Sequence, residues 1–168
     1  MTELIKANDN TDFQQISELA NIIWSEHYTP IIGSEQVSYM LNKFQSASAI
    51  ADQIKEGTKY YLIMHHKKPS GYFCISRKED SVFLSKLYVL SQFRGQGLGK
   101  TAMTFIENKT VHLGYSKISL TVNKYNTNAI KAYEKLGFKN VKPEVQDIGN
   151  NFIMDDYLLE KHLITNEG

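Results

Sequence analysis

Apolar and polar residues alternate along this chain with two distinct periods, and the switches between them mark out its elements. Phe13, Ile16, Leu19, Ala20, Ile23 and Trp24 recur three or four residues apart, which predicts one buried helix stripe. Thr11 begins that helix, with Gln14 at the capping-box distance, and Pro30 ends it near residues 27–30. Residues 3–7 form a short strand before it. Residues 35–56 read as helix in two pieces, 35–44 and 47–56, stopped at Gly57. Residues 59–66, 71–77 and 81–90 are rich in Tyr, Leu, Ile and Phe. Pro69-Ser70 and Glu79-Asp80 punctuate them, so an antiparallel meander follows. Leu98, Ala102, Phe105, Ile106, Lys109 and Leu113 then share one side of a helix over 98–113, capped by Gly114. Residues 117–122 form a strand. Residues 126–136 form a helix with Asn126 as N-cap and Gly137 at its C-terminal cap. Strands at 138–146 and 151–161 close the pattern. The order predicts an α/β fold with a mixed sheet.

Length and composition narrow this picture. At 168 residues, 42% hydrophobic and 22% charged, the chain suits one globular domain spanning 1–168. One cysteine excludes an intrachain disulfide framework and fits a reducing, cytoplasmic setting. No apolar run reaches the ~18–20 residues of a membrane span, so no membrane partner is expected. The net charge of +1 argues against a nucleic-acid binder. That total conceals a polarity: residues 1–60 carry −4, 61–81 carry +2, 82–142 carry +8 and 143–168 carry −5. A basic middle between acidic ends suits an anionic ligand, although solvated helix faces would give the same sums.

The chemistry concentrates in Arg94-Gly95-Gln96-Gly97-Leu98-Gly99-Lys100, after one predicted strand and at the start of a helix. Glycines let the backbone turn sharply and approach a ligand closely, and the amides of a helix N-terminus point at an anion. Three glycines in five residues exceed what a plain turn requires, so a phosphate-bearing ligand is expected. A P-loop matches Gly99-Lys100-Thr101, but its first glycine would fall on Arg94, and the next strand ends in Asn123 rather than an acid. The dinucleotide fingerprint accepts Gly95 and Gly97 but needs glycine at Lys100.

The same residues, preceded by Val89, satisfy the acyl-CoA pyrophosphate pattern of the GNAT (GCN5-related) N-acetyltransferases, which they resemble. Ser91 stands where that family often has proline. A second segment, from Asn123 to Phe138, strengthens the resemblance: Asn126, Ala129, Ile130, Tyr133, Gly137 and Phe138 match the spacing of the family's N-x-x-A-[IV]-x-x-Y-x-x-x-G-F helix. The resemblance covers about residues 59–140.

It implies a mostly antiparallel sheet split by a bulge and flanked by helices, and acetyl transfer from acetyl-CoA to a primary amine, without a metal. Backbone groups of Leu87, Tyr88 and Val89 would pair with the pantetheine arm. Arg94, Gly95, Gln96, Gly97, Leu98, Gly99 and Lys100 would hold the pyrophosphate. Asn126 would lie near the pantetheine and Tyr133 near the thioester sulfur. A thiol of pKa about 8.5 leaves more readily with a proton donor, a role that suits Tyr133. Packing against Ile130 and Leu136 is its plainer alternative. An ammonium of pKa about 10.4 needs a base. Residues 84–87 hold no acid, so Glu26, or its neighbour His27, is the candidate, directly or through water. Acceptors would be polyamine-like small molecules or peptide amines, and a homodimer is compatible with the resemblance. The rival readings are a non-catalytic acyl-CoA-binding module and a P-loop-like nucleotide phosphohydrolase.

Other residues carry less. Cys74 sits in an apolar strand and reads as buried and inert. His65 and His66, adjacent on a strand, should face opposite sides. The Asn108-Lys109-Thr110 sequon falls within a predicted helix.

Overall fold

A computed structural model describes residues 1–163. Its seven strands hydrogen-bond in the order β1-β2-β3-β4-β5-β7-β6. Pairing is antiparallel for β1–β2, β2–β3, β5–β7 and β6–β7, and parallel for β4–β5. The chain forms two compact units, and each takes two stretches of sequence.

The first unit holds Met1–Arg77 and Ser85–Ile106. It contains β1 (Thr2–Lys6), α1 (Asn10–Ile32), α2 (Ser34–Phe44), α3 (Ala47–Lys55), β2 (Lys59–His65) and β3 (Lys68–Arg77). It also contains the latter part of β4 (Val82–Val89) and the start of α4 (Leu98–His112). Ile16, Leu19, Ala20, Ile23 and Trp24 are buried along α1, as their spacing predicts. They join Ile50, Leu62, Ile63, Tyr72 and Phe73 among the buried residues of this unit.

Two boundaries differ from expectation. The N-cap of α1 is Asp9, whose carboxylate accepts from the Asp12 amide at 3.0 Å, while the Asp12 carboxylate accepts from the Asn8 amide at 3.0 Å. Two carboxylates therefore do the capping assigned to Thr11 and Gln14. The helix also runs through Pro30 to Ile32. A proline forfeits only one backbone bond, and so near a helix end little remains to be broken. Gly33, at φ 86°, then turns the chain and donates to the Thr29 carbonyl.

The β2–β3 turn is not Pro69-Ser70 but His66-Lys67, both left-handed at φ 49° and 64°. That pair suits a two-residue hairpin, whose twist matches the strands it joins. Pro69 lies inside β3, beside the register shift at Ile63/Met64, where a missing N–H is tolerated.

The second unit holds Lys78–Leu84 and the chain from Glu107 onward. It takes the first residues of β4, the rest of α4, β5 (Lys117–Asn123), α5 (Thr127–Lys135), β6 (Lys139–Gly149) and β7 (Phe152–His162). The parallel β4–β5 register comprises only Val82↔Ile118 and Phe83↔Ser119. Among the described residues β4 has no β5 register beyond Phe83. Ile118, Leu120, Val122 and Leu159 are buried on one face of this part of the sheet. Lys161 of the same face is ion-paired with Glu107 of α4, so this face looks toward the helix. On α4, Met103 and Thr110 are buried as well as the predicted Leu98, Ala102 and Ile106. The β6–β7 hairpin turns on Asn150 and Asn151, again both left-handed.

Candidate active site

In the first unit the glycine loop forms as its composition requires. A 3-10 turn over Ser91–Phe93 follows β4, and α4 starts at Leu98. Gly95 and Gly97 have φ of 78° and 82°, a region that side chains strain to enter. The Arg94 guanidinium nitrogen Nε donates to the Val89 carbonyl at 3.2 Å, tying the loop to the end of its strand. Arg94, Gln96 and Lys100 are exposed, whereas Leu98 is buried and anchors the helix. Thr101 closes the first turn: its amide and its hydroxyl each donate to the Gly97 carbonyl at 3.0 Å.

One glycine of the loop has no explanation in the fold alone. A Cβ placed on Gly99 meets no atom within 4 Å, and Gly99 has no positive φ. Neither space nor backbone conformation requires glycine there. Close approach of a ligand to the first helical turn is the remaining physical reason for it.

Leu87, Tyr88 and Val89 lie at the end of β4, as expected, and Tyr88 brings more than its backbone. Its hydroxyl is hydrogen-bonded to that of Tyr28 at 3.0 Å. Its ring meets those of Trp24, Tyr28 and Tyr72 at 5.6–6.1 Å, edge-on or tilted. Gly71 permits this approach: a Cβ on it would stand 2.2 Å from the Tyr88 carbonyl oxygen.

A buried polar relay fixes the cluster from behind. Trp24 Nε1 donates to the Tyr72 hydroxyl at 3.1 Å, which donates to Gln45 Oε1 at 2.7 Å. Gln45 Nε2 donates to the Tyr60 hydroxyl at 3.0 Å, which donates to Gln53 Oε1 at 2.6 Å. Burial pushes the Tyr60 and Tyr72 phenols well above their ordinary range, so both remain neutral donors. Trp24 and Tyr28, four residues apart on the first predicted helix, were the sequence signal for this group.

Glu26 lies on α1 two residues from both Trp24 and Tyr28, a helical offset that turns it away from them, and it is exposed. His27 is half-buried, its ring 5.0 Å from that of Tyr28.

The second unit holds the other expected residues. Asn126 is the N-cap of α5: its side chain accepts from the Ala129 amide at 3.4 Å, and it is 4% exposed. Tyr133 is half-buried, and its ring meets Phe138 edge-on at 5.5 Å. The Phe138 amide donates to the Tyr133 carbonyl, and Gly137 at φ 99° makes that reversal possible. The chain turns directly from β5 into this helix, with the Asn126 amide donating to the Asn123 carbonyl.

Sequence reasoning missed Asp156, on β7. It is 6% exposed and pairs in register with Asn123 of β5 and Glu144 of β6. Burial, reinforced by the charges of Asp155 and Glu144, raises its carboxyl to about 6, against the opposing hydrogen bond from Thr121 and the charge of Lys124. Nothing in the local residue pattern marks this position, because Asp155 and Asp156 look alike in sequence. In space they alternate. Asp155 is ion-paired with Lys124 at 2.7 Å, whereas Asp156 shares the opposite face with Thr121 and Asn123.

The residues set aside in the sequence behave mostly as expected. Cys74 is buried, with its sulfur 2.8 Å from the Ser85 hydroxyl. His66 leaves the strand at φ 49°, which overturns the expectation that it and His65 face apart: their ring centroids are 4.2 Å from each other. Among the described residues no three His, Cys, Asp or Glu side chains are grouped to hold a metal, and no helix is long and apolar enough to cross a membrane.

Comparison with known proteins agrees with this geometry. The family model described as acetyltransferase (GNAT) domain matches residues 28–154. An uncharacterized N-acetyltransferase of Mycobacterium tuberculosis is 24% identical over 156 residues, covering 92% of this chain and 99% of its own. A peptidyl-lysine N-acetyltransferase of Salmonella typhimurium is 27% identical over 104 residues, 61% of this chain and 66% of its own. The PaiA N-acetyltransferase of Thermoplasma acidophilum, solved with coenzyme A, superposes with a TM-score of 0.81 at 20% identity. It covers 96% of this chain and 99% of its own. The chain belongs to the GNAT acetyltransferase family, whose members transfer acyl groups to amines.

Proposed function

We propose that this protein transfers the acetyl group of acetyl-CoA directly to a primary amine, carried by a polyamine-like small molecule or a peptide, and that residues 1–168 act as one catalytic domain. The observation that carries the donor assignment is the open glycine loop, above all Gly99, whose lack of a side chain the fold itself does not require. The amides of Gly95 to Lys100 hold the pyrophosphate, with Arg94 and Lys100 adding charge. Leu87, Tyr88 and Val89 pair with the pantetheine arm by their backbone, and Asn126 lies along it. The coenzyme A complex of the Thermoplasma relative supports this choice of donor, and the peptidyl-lysine acceptor of the Salmonella relative supports an amine acceptor.

Tyr133 gives its phenolic proton to the departing thiolate. Glu26 and His27 are the candidates that the sequence offers for the base that takes a proton from the acceptor, Glu26 through water because it is exposed. Free-CoA release should be measured over polyamines, amino acids, aminoglycosides and peptides. Release with at least one amine is expected. Tight CoA binding without release would mean a binding module. Tyr133→Phe should lower kcat by about 10- to 100-fold, and an unchanged kcat across pH would remove the acid role. Glu26→Gln should alter the pH–rate profile if Glu26 is the base, and an unaltered profile would exclude it.

A further inference from the structure

We propose that Asp156 is the group that receives the acceptor amine: its carboxylate binds the ammonium and takes the proton that the amine must lose before it can attack. This rests on the acetyl-transfer reading above and puts buried Asp156, in place of the exposed Glu26 or of His27, in the role of base.

Asp156 lies within the same unit as Asn126 and Tyr133 and beside the segment that carries them. Its register partner on β5 is Asn123, whose carbonyl accepts from the Asn126 amide. It lies on the face shared by Thr121 and Asn123, opposite the face whose Lys161 is tied to α4.

The charged and titratable groups around it explain why a cation belongs there. Asp155 precedes it on β7, Glu144 is its partner on β6, and both raise its pKa by repulsion. Lys124, in the turn after β5, is committed to Asp155 at 2.7 Å and offsets this only in part. The Thr121 hydroxyl on β5 donates one hydrogen bond. A carboxylate held at 6% exposure with two acidic neighbours and no ion pair among the described residues is destabilising, and an ammonium is the ligand that relieves it. With a pKa of about 6 it is mostly ionised at pH 7 and is a better base than an ordinary aspartate.

The step balances. The Asp156 carboxylate takes one proton from the ammonium. The amine lone pair forms the C–N bond at the thioester carbonyl, and the C–S bond breaks. The Tyr133 hydroxyl protonates the thiolate, and the nitrogen returns a proton to the Tyr133 oxygen. Asp156 then releases its proton to water, so one proton leaves per turnover.

The test uses the full chain with acetyl-CoA and the amine found by CoA release, spermidine being the first probe. Wild-type kcat/KM should fall below a pH of about 6. Asp156→Asn should lower kcat at pH 7 on the order of 100-fold or more, abolish that acid limb, and leave CoA affinity by calorimetry within twofold. A kcat within threefold of wild type with the limb intact would overturn the proposal. Should Asp156→Asn fail to fold, Thr121→Val is the second variant. Loss of the hydroxyl that stabilises the carboxylate should move the acid limb to higher pH, and an unmoved limb overturns the assignment. Wild-type protein that binds CoA yet releases none with any amine instead defeats the acetyl-transfer reading itself, and the base with it.

Discussion

The fold explains neither the identity of Gly99 nor that of Asp156. Alanine is a better helix former than glycine, and a Cβ at Gly99 meets nothing within 4 Å. Gly99→Ala should therefore keep or slightly raise the melting temperature while weakening CoA binding by about tenfold, a loss of about 1.4 kcal/mol. Equal losses of stability and affinity would show that the glycine is structural. For Asp156 the linkage runs in the opposite direction from that of a salt-bridged acid. Its folded pKa lies above the ordinary aspartate value, so the folded state binds more protons between about 4 and 6, and stability falls as pH rises through that window. Asp156→Asn should thus gain about 1–2 kcal/mol at pH 7–8 and little at pH 4, read from denaturant melts at both pH values. At this scale the loop was legible in sequence because its conformation and its chemistry both require unusual residues. Asp156 was not legible, because cross-strand pairing and not local sequence sets its environment.

Among the elements, the junction of α2 and α3 has the most to lose. Gln45 is fully buried, and its amide serves the Tyr72 and Tyr60 hydroxyls and the Phe44 carbonyl at once. Gln45→Leu should cost about 1–3 kcal/mol in denaturant unfolding, because it leaves the buried Tyr72 hydroxyl without its acceptor and takes from Tyr60 the donor that complements Gln53. A cost under about 0.5 kcal/mol would mean that the relay re-forms around the gap. The order and type of the elements were readable from hydrophobic period, since helix stripes and strand alternation reflect burial directly. Their ends were less so. Pro30 and Pro69 both looked like boundaries and both lie inside elements. Each sits where the missing N–H loses little, at the close of a helix or beside a register shift, and such placement is fixed by partners distant in sequence.

At the scale of the molecule, the charge polarity becomes a statement about ligands. The +8 stretch contains the glycine loop, and the −5 stretch contains Asp155 and Asp156. Salt should weaken CoA binding and also kcat/KM for a polyamine, each steeply between low and physiological ionic strength. A salt-insensitive kcat/KM, or a preferred acidic acceptor, would count against steering by the acidic ends. The sums and their assignment, the basic stretch to the donor through the glycine motif and the acidic ends to the acceptor, were visible in sequence, whereas singling out Asp156 among the acids needed the strand register. The interleaving of the two units carries a further consequence, for inheritance. Lys78–Leu84 belongs with the chain from Glu107 onward, while Ser85–Ile106 belongs with Met1–Arg77. No single cut separates them. A cut after Ile106 leaves β5 without its parallel partner, and a cut before Lys78 takes the glycine loop from the unit that holds it. A recombination event at either point delivers an incomplete unit, so selection can exchange loops and surface residues in this chain but must pass its two units on together.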